Sequence, residues 1–190
     1  KTAQKFNIAH ELLDTKDIQN KFPQFQITDE NGYYEKEAGY LIPELCVELQ
    51  LSLATSQGAE VHTYEKIQSW NVQPSGKVLL KTDKDIYETD KLIISAGPWI
   101  HKYLSEELGN NFEIYRQVLY WFNIQESDYS LFSQENMPIF IWEFGGGHDD
   151  FIYGFPAIDG PHGGVKVASE QYQVQADPDH VKREVSDEEV

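Results

Sequence analysis

The sequence predicts a mixed α+β fold, a largely antiparallel sheet with covering helices, and three observations point there. Apolar residues crowd a helix-like segment at 43–57, and alternating residues at 77–89 break at a charged turn. From Phe112 onward, four strand candidates follow one another between turn-rich loops. Successive short strands with turn signals between them favour antiparallel pairing.

In the helix-like segment, Leu45, Val47, Leu49, Leu51, Leu53 and Ala54 are read as an apolar face. Gly58 should stop this helix, and a short strand should begin near Val61. Residues 77–82 and 86–89 read as a hairpin about the turn Asp83-Lys84-Asp85, and the stretch 70–78 as a turn between strands. The hairpin delivers the chain to an apolar strand, Leu92-Ile93-Ile94-Ser95, which runs into Ala96-Gly97-Pro98-Trp99. Gly97 tolerates positive φ and carries no Cβ, Ala96 adds little bulk, and Pro98 stiffens the exit. Such a turn is either an ordinary strand-to-helix connection or a loop whose backbone approaches a ligand.

The later strand candidates are residues 115–124, 137–144, 150–158 and 163–169, expected to form a meander. Helices from both ends should cover one face and leave the other open. Lys1 to Ala9 reads as the tail of a helix already under way. Asp177-Pro178 reads as the N-cap and first position of a helix over 179–185, and Ser186-Asp187-Glu188-Glu189 as a capping box opening another. These ends predict that the natural protein continues, so the remainder of its own chain is an expected partner.

Composition bounds the function. With 190 residues, 40% hydrophobic and 13% aromatic, the chain has the material for a substantial core in one or two domains. A formal charge of −17, from 32 acidic and 15 basic residues, argues against nucleic acid and anionic membrane surfaces. No apolar run approaches the roughly 20 residues that span a bilayer, and no signal pattern opens the chain. The lone Cys46 permits no intramolecular disulfide, fits a cytoplasmic location and reads as a small core residue of the helix. His148-Asp149-Asp150 reads as a solvated hairpin tip rather than a metal site, because adjacent residues on an extended chain diverge. No glycine-rich dinucleotide fingerprint, P-loop or nucleophile elbow occurs, and glycines 145 to 147 and 163 to 164 are read as flexible hairpin loops. Lys166 interrupts the apolar strand Val165-Lys166-Val167-Ala168, and alternation sets it opposite its two valine neighbours. It is either a solvated strand lysine or an ammonium met by an anion or an electron-rich ring.

The order of helix, Gly58-Ala59-Glu60-Val61, hairpin and Lys91 to Trp99 resembles flavoproteins of the D-amino-acid oxidase superfamily. The resemblance is nearest to the monomeric sarcosine oxidase and N-methyltryptophan oxidase family. Phe22-Pro23-Gln24-Phe25, Glu37-Ala38-Gly39-Tyr40-Leu41-Ile42-Pro43, Tyr115-Arg116-Gln117-Val118 and the run from Tyr153 to Gln171 extend it over nearly the whole chain. It implies that residues 45–103 belong to a Rossmann-like FAD-binding domain and residues 1–44 and 104–190 to the substrate domain. The family's N-terminal fingerprint and C-terminal segment are absent, and Cys46 lies in the wrong region to link a flavin.

By the same resemblance, Lys166 matches the lysine near the flavin ring that promotes reaction with oxygen, and Tyr153 a substrate-site tyrosine. Tyr153 read from its strand alone is an aromatic that fills core. Ile141 falls where sarcosine oxidase has a pocket methionine. Glu170 replaces an active-site histidine, which argues against sarcosine itself and for a basic or larger amine. Val61 through its main chain, with Ala96, Gly97 and Trp99, would face the cofactor. Arg116 reads as a brace for the sheet.

The implied activity is oxidation of a secondary or N-methylated amino acid by oxygen, through an imine, to aldehyde, amine and hydrogen peroxide. FAD would be bound by the whole protein and little if at all by this chain alone. Two alternatives are a flavin amine dehydrogenase, which needs no oxygen-activating charge, and a non-catalytic acidic module binding protein through Tyr120-Trp121-Phe122 and residues 139–144.

Overall fold

A computed structural model describes residues 1–147 and 150–186. In chain order the first elements are α1 (Thr2–Lys5), β1 (Glu11–Leu13), α2 (Thr15–Lys21), β2 (Gly32–Tyr34) and α3 (Pro43–Ser56). There follow β3 (Ile67–Val72), β4 (Val78–Thr82), β5 (Ile86–Thr89) and a 3-10 helix at Gly97–Tyr103. The last strands are β6 (Leu119–Phe122), β7 (Phe140–Glu143), β8 (Phe151–Phe155) and β9 (Val165–Ala168). The chain divides into two compact units, residues 1–40 with 115–190, and residues 41–114.

The first unit is built on a four-stranded antiparallel sheet in the order β6-β9-β8-β7. All four expected strands form, but the topology is not a plain meander: β7, β8 and β9 follow one another, and β6 joins beyond β9. Directly paired residues lie on one face of a sheet. The register Phe140↔Gly154↔Val167↔Tyr120 therefore defines one face, shared with Trp142, Ile152, Val165 and Phe122.

This face is covered by the loop after α2 rather than by the expected helices. Phe25 stands edge-on to Phe140 at 5.0 Å and to Trp142 at 6.2 Å, and Trp142 Nε1 donates to Glu30 Oε1 at 3.2 Å. Helix α2 begins with a reciprocal capping box between Asp14 and Asp17 and buries no residue. The helical start ends at Lys5. The helix expected over 179–185 is only a turn: Asp177 accepts from the Asp179 N–H at 2.9 Å and from His180, and the chain then runs on without helix. A good cap does not sustain a short helix when no face is buried. The capping box at 186–189 falls largely outside the described residues.

The second unit holds α3 and the antiparallel sheet β3-β4-β5. The expected hairpin is β4 and β5, and the turn at 73–77 closes on Gln73 N–H donating to the Lys77 carbonyl at 2.7 Å. Helix α3 stops as expected, with Gly58 at φ 94° and the Ala59 N–H donating to the Ala54 carbonyl.

Its apolar face is not found: no α3 residue is buried, and Leu45, Val47, Leu49, Leu51 and Leu53 are all exposed. Steps of two residues advance about 200° around a helix, so these side chains encircle it instead of lining one side. Cys46 is half-buried, not a core residue.

Two expected strands are also missing. Residues 61–66 and 91–96 are in neither helix nor strand; a strand needs a neighbour to complete its ladder, and among the described residues none pairs with them. The substantial core expected from composition is small for the same reason. Among the described residues no large side chain is fully buried, and Ile93 is 90% exposed.

Gly154 is where the first unit tolerates least change. A Cβ there would lie 2.5 Å from the Phe140 ring and 2.8 Å from the Lys166 carbonyl oxygen. Gly154→Ala should cost about 1–3 kcal/mol, the range for overpacking a close-fitted site. The expected outcome is a lower urea midpoint at unchanged slope, whereas Gly146→Ala, with nothing within 4 Å of the added atom, should leave the midpoint in place.

Candidate active site

The second face of the large sheet carries Leu119 and Trp121 from β6, Lys166 and Ala168 from β9, Tyr153 and Phe155 from β8, and Ile141 from β7. Three residues singled out in the sequence, Lys166, Tyr153 and Ile141, thus share one face. Tyr153 is paired with Ile141 on one side and Ala168 on the other. Ile141 is 74% exposed and Trp121 54%, so this face is largely open. Tyr40 closes one part of it, edge-on to Phe155 at 6.4 Å, with its hydroxyl donating to Gln134 Oε1 at 2.8 Å. Glu170 lies two residues beyond Ala168, exposed, and accepts a hydrogen bond from the Tyr172 hydroxyl.

Lys166 is half-buried, and the groups that meet it are electron-rich rings. Its ammonium lies 5.5 Å from the Trp121 ring centroid and 5.2 Å from that of Phe155. Both rings belong to its cross-strand partners. A cation over an aromatic face is held by the ring quadrupole without being neutralised.

The cofactor-facing candidates lie in the second unit. Val61 is 47% exposed on unpaired backbone. Ala96 caps the 3-10 helix, and the Trp99 N–H donates to its carbonyl at 3.0 Å. Gly97 has φ 52°, and a Cβ there would meet nothing within 4 Å, so the backbone is open to close approach by a flat group. Beside it, Leu92, Ile94, Ala96, Trp70 and Leu80 line a cavity of about 230 Å³. These features fit a flavin nucleotide lying against backbone.

Arg116 braces the first unit: its N–H donates to the Val174 carbonyl at 2.9 Å and its Nη2 to the Glu184 carbonyl at 2.8 Å. Of the triplet at 148–150, read from the sequence as a solvated hairpin tip, His148 and Asp149 lie outside the described residues.

Sequence reasoning missed a polar cluster in the second unit. Glu65, with only 6% of its side chain exposed, accepts hydrogen bonds from Thr82 Oγ1 at 2.6 Å and from the Tyr87 hydroxyl at 2.8 Å, and faces His62 Nδ1 at 2.9 Å. These donors hold its carboxyl at about 2, chiefly through Thr82 and then Tyr87. In turn Glu65 pushes the Tyr87 phenol up to about 12 and, with Glu60, raises His62. The cluster ties the segment following Val61 to the β4–β5 hairpin. Its only sequence signal was the placing of Thr82 and Tyr87 on either side of one turn.

One unit thus holds an antiparallel sheet with a lysine and a tyrosine on its open face, and the other an exposed glycine turn next to a small apolar cavity. The chain belongs to the FAD dependent oxidoreductase family (DAO), whose model matches residues 1–189. It is 40% identical over its whole length to monomeric sarcosine oxidase of Streptomyces avermitilis, covering 48% of that protein. To monomeric sarcosine oxidase of Bacillus sp. strain B-0618 it is 31% identical over 96% of this chain and 45% of the relative. To N-methyl-L-tryptophan oxidase of Salmonella newport it is 28% identical over 90% and 45%. The chain therefore spans about half the length of the curated relatives it matches. The open form of NikD, an unusual amino acid oxidase essential for nikkomycin biosynthesis, shares its fold with a TM-score of 0.65 at 16% identity, over 98% of this chain and 47% of that one. Among the described residues, no helix is long and apolar enough to cross a membrane.

The Glu65 cluster makes stability depend on pH. A carboxyl held at about 2 contributes fully above its ordinary value near 4.5 and loses that contribution as pH falls towards 2. The raised His62 contributes below 6.5 and loses its share as pH rises through its folded value. Glu65→Gln should lower the melting temperature at pH 6 and flatten its decline between pH 5 and 2; parallel melting curves for variant and wild type would contradict this role.

Proposed function

We propose that this chain is an internal part of a flavin-dependent amine oxidase that acts on a secondary or N-methylated amino acid. The observation that carries the reading is Lys166, a cation with no carboxylate partner among the described residues, on an open face shared with Tyr153 and Ile141. The relatives named as sarcosine and N-methyltryptophan oxidases support it.

In this reading the first unit supplies the substrate side, and the second supplies Val61, Ala96, Gly97 and Trp99 towards FAD. FAD, when bound, would supply the two-electron oxidant for the C–H bond beside the amine nitrogen; those electrons, with one proton from carbon and one from nitrogen, would reduce oxygen to hydrogen peroxide. The resulting imine takes up water and falls to aldehyde and amine. Tyr153 holds the substrate carboxylate through its phenol, and Ile141 walls the pocket. Lys166 supplies a fixed positive charge where negative charge develops on oxygen, an effect largest where water is excluded. Glu170 opposes small anionic substrates such as sarcosine and tolerates a basic or bulkier amine.

The test uses the full-length protein, its visible spectrum and a panel of N-methyl amino acids. A yellow protein that releases peroxide is expected. Lys166→Met should cut the rate of reduced-flavin oxidation by oxygen by about 10²-fold or more, in line with removal of one preorganised electrostatic group, while anaerobic flavin reduction persists. A yellow protein indifferent to Lys166→Met would indicate a dehydrogenase, and a colourless one would leave the protein-binding module.

A further inference from the structure

The ammonium of Lys166 sits between two rings contributed by the strands on either side of it, and this arrangement solves a problem specific to a charge that must act on oxygen. A carboxylate partner would fix the side chain but cancel most of its field. Leaving it in water would keep the charge but let a long, flexible stem wander among rotamers. Aromatic faces fix the position and leave the charge unneutralised. Among the described residues, Lys166 has the Trp121 and Phe155 rings, at 5.5 and 5.2 Å, and no carboxylate within ion-pair reach.

The backbone enforces the arrangement. Trp121 is the direct antiparallel partner of Lys166 on β6 and Phe155 its direct partner on β8. All three therefore project from one face, and the rings flank the lysine as a consequence of register rather than of a chance rotamer. Phe155 is itself steadied by edge contacts with Tyr40 and Tyr153, both at 6.4 Å. Trp121 stands on the edge strand, more than half exposed.

We propose that Trp121 and Phe155 are positioning residues for Lys166, an aromatic cradle that holds its ammonium over the open face as an unneutralised cation. The proposal rests on the reading of Lys166 as the oxygen-activating charge. Neither ring needs to touch substrate or the reacting atoms; each acts through the lysine.

The test separates the two half-reactions in the full-length flavoprotein and adds a readout independent of turnover. Trp121→Leu and Phe155→Leu should each slow the reaction of reduced flavin with oxygen by about 3- to 30-fold, the factor that a cation–π contact of ordinary strength contributes to one population. Anaerobic reduction by an N-methyl amino acid should change less than about twofold, and Trp121→Phe should restore most of the oxygen rate. In protein dimethylated at lysines with ¹³C, the Lys166 methyl resonance, assigned by its loss in Lys166→Arg, should be displaced by ring currents and move back in Trp121→Leu.

Equal slowing of both half-reactions would make the rings merely structural and overturn the proposal. So would an unchanged oxygen rate in Trp121→Leu, its folding checked by melting temperature and flavin spectrum, or a Lys166 resonance at the position of a solvated lysine. If Lys166→Met itself leaves the oxygen rate intact, the underlying reading fails and the cradle with it. That outcome is distinct from one in which Lys166 matters and its rings do not.

Discussion

The register of β9, with Lys166 opposite Trp121 on one side and Phe155 on the other, decides which residues of the first unit share a face. Side chains alternate with a period of two, so a slip of one residue would turn Lys166 to the side packed by Phe25 and bring Val165 and Val167 to the open side. An unpaired ammonium against that aromatic packing would be costly to desolvate. The register is also fixed sterically. Gly154 lies beneath the Phe140 ring, and Gly164, at φ 75°, brings its Cα so near the Phe122 carbonyl that a Cβ would stand 2.9 Å from it. Packing on one face thus determines the chemistry displayed on the other.

In the second unit, a buried carboxylate takes the part that packing plays in the first. Glu65 gathers a hydroxyl, a phenol and an imidazole from the hairpin and from its own segment, and so orders backbone that has no ladder partner. Val61, before the hairpin in the chain, and Gly97, after it, are exposed. The chain's large negative charge gives the site a further constraint. In such a setting, an isolated cation that keeps its full charge is informative, because acidic neighbours are plentiful in the sequence and none is set against it among the described residues.

Much of this was legible in the sequence where local chemistry decides the outcome. The four strands of the large sheet were marked by β-branched and aromatic runs between turn residues, the hairpin by its charged turn, and the end of α3 by Gly58. The face of Lys166 followed from alternation alone. What failed were inferences needing a partner or a correct period. Residues 61–66 and 92–95 have strand composition but, among the described residues, no neighbouring strand to hydrogen-bond. The leucines of α3 recur every second residue, a strand's spacing, so they surround the helix. The 179–185 segment had a cap but no apolar face to bury. The rings around Lys166 were foreseeable only as a class, and Glu65 had no motif to announce it, since its three partners converge through the fold.

The central claim is that the open face of the large sheet is the one that meets substrate. Its most direct measurement is maleimide labelling of the full-length protein, read site by site by peptide mass spectrometry, with Ile141→Cys on the open face and Leu12→Cys, at a site 77% exposed on β1, as a control. An N-methyl amino acid supplied without oxygen should slow maleimide labelling at position 141 severalfold or more and leave position 12 unchanged. Equal labelling at position 141 with and without the amino acid would place the substrate elsewhere and contradict the account.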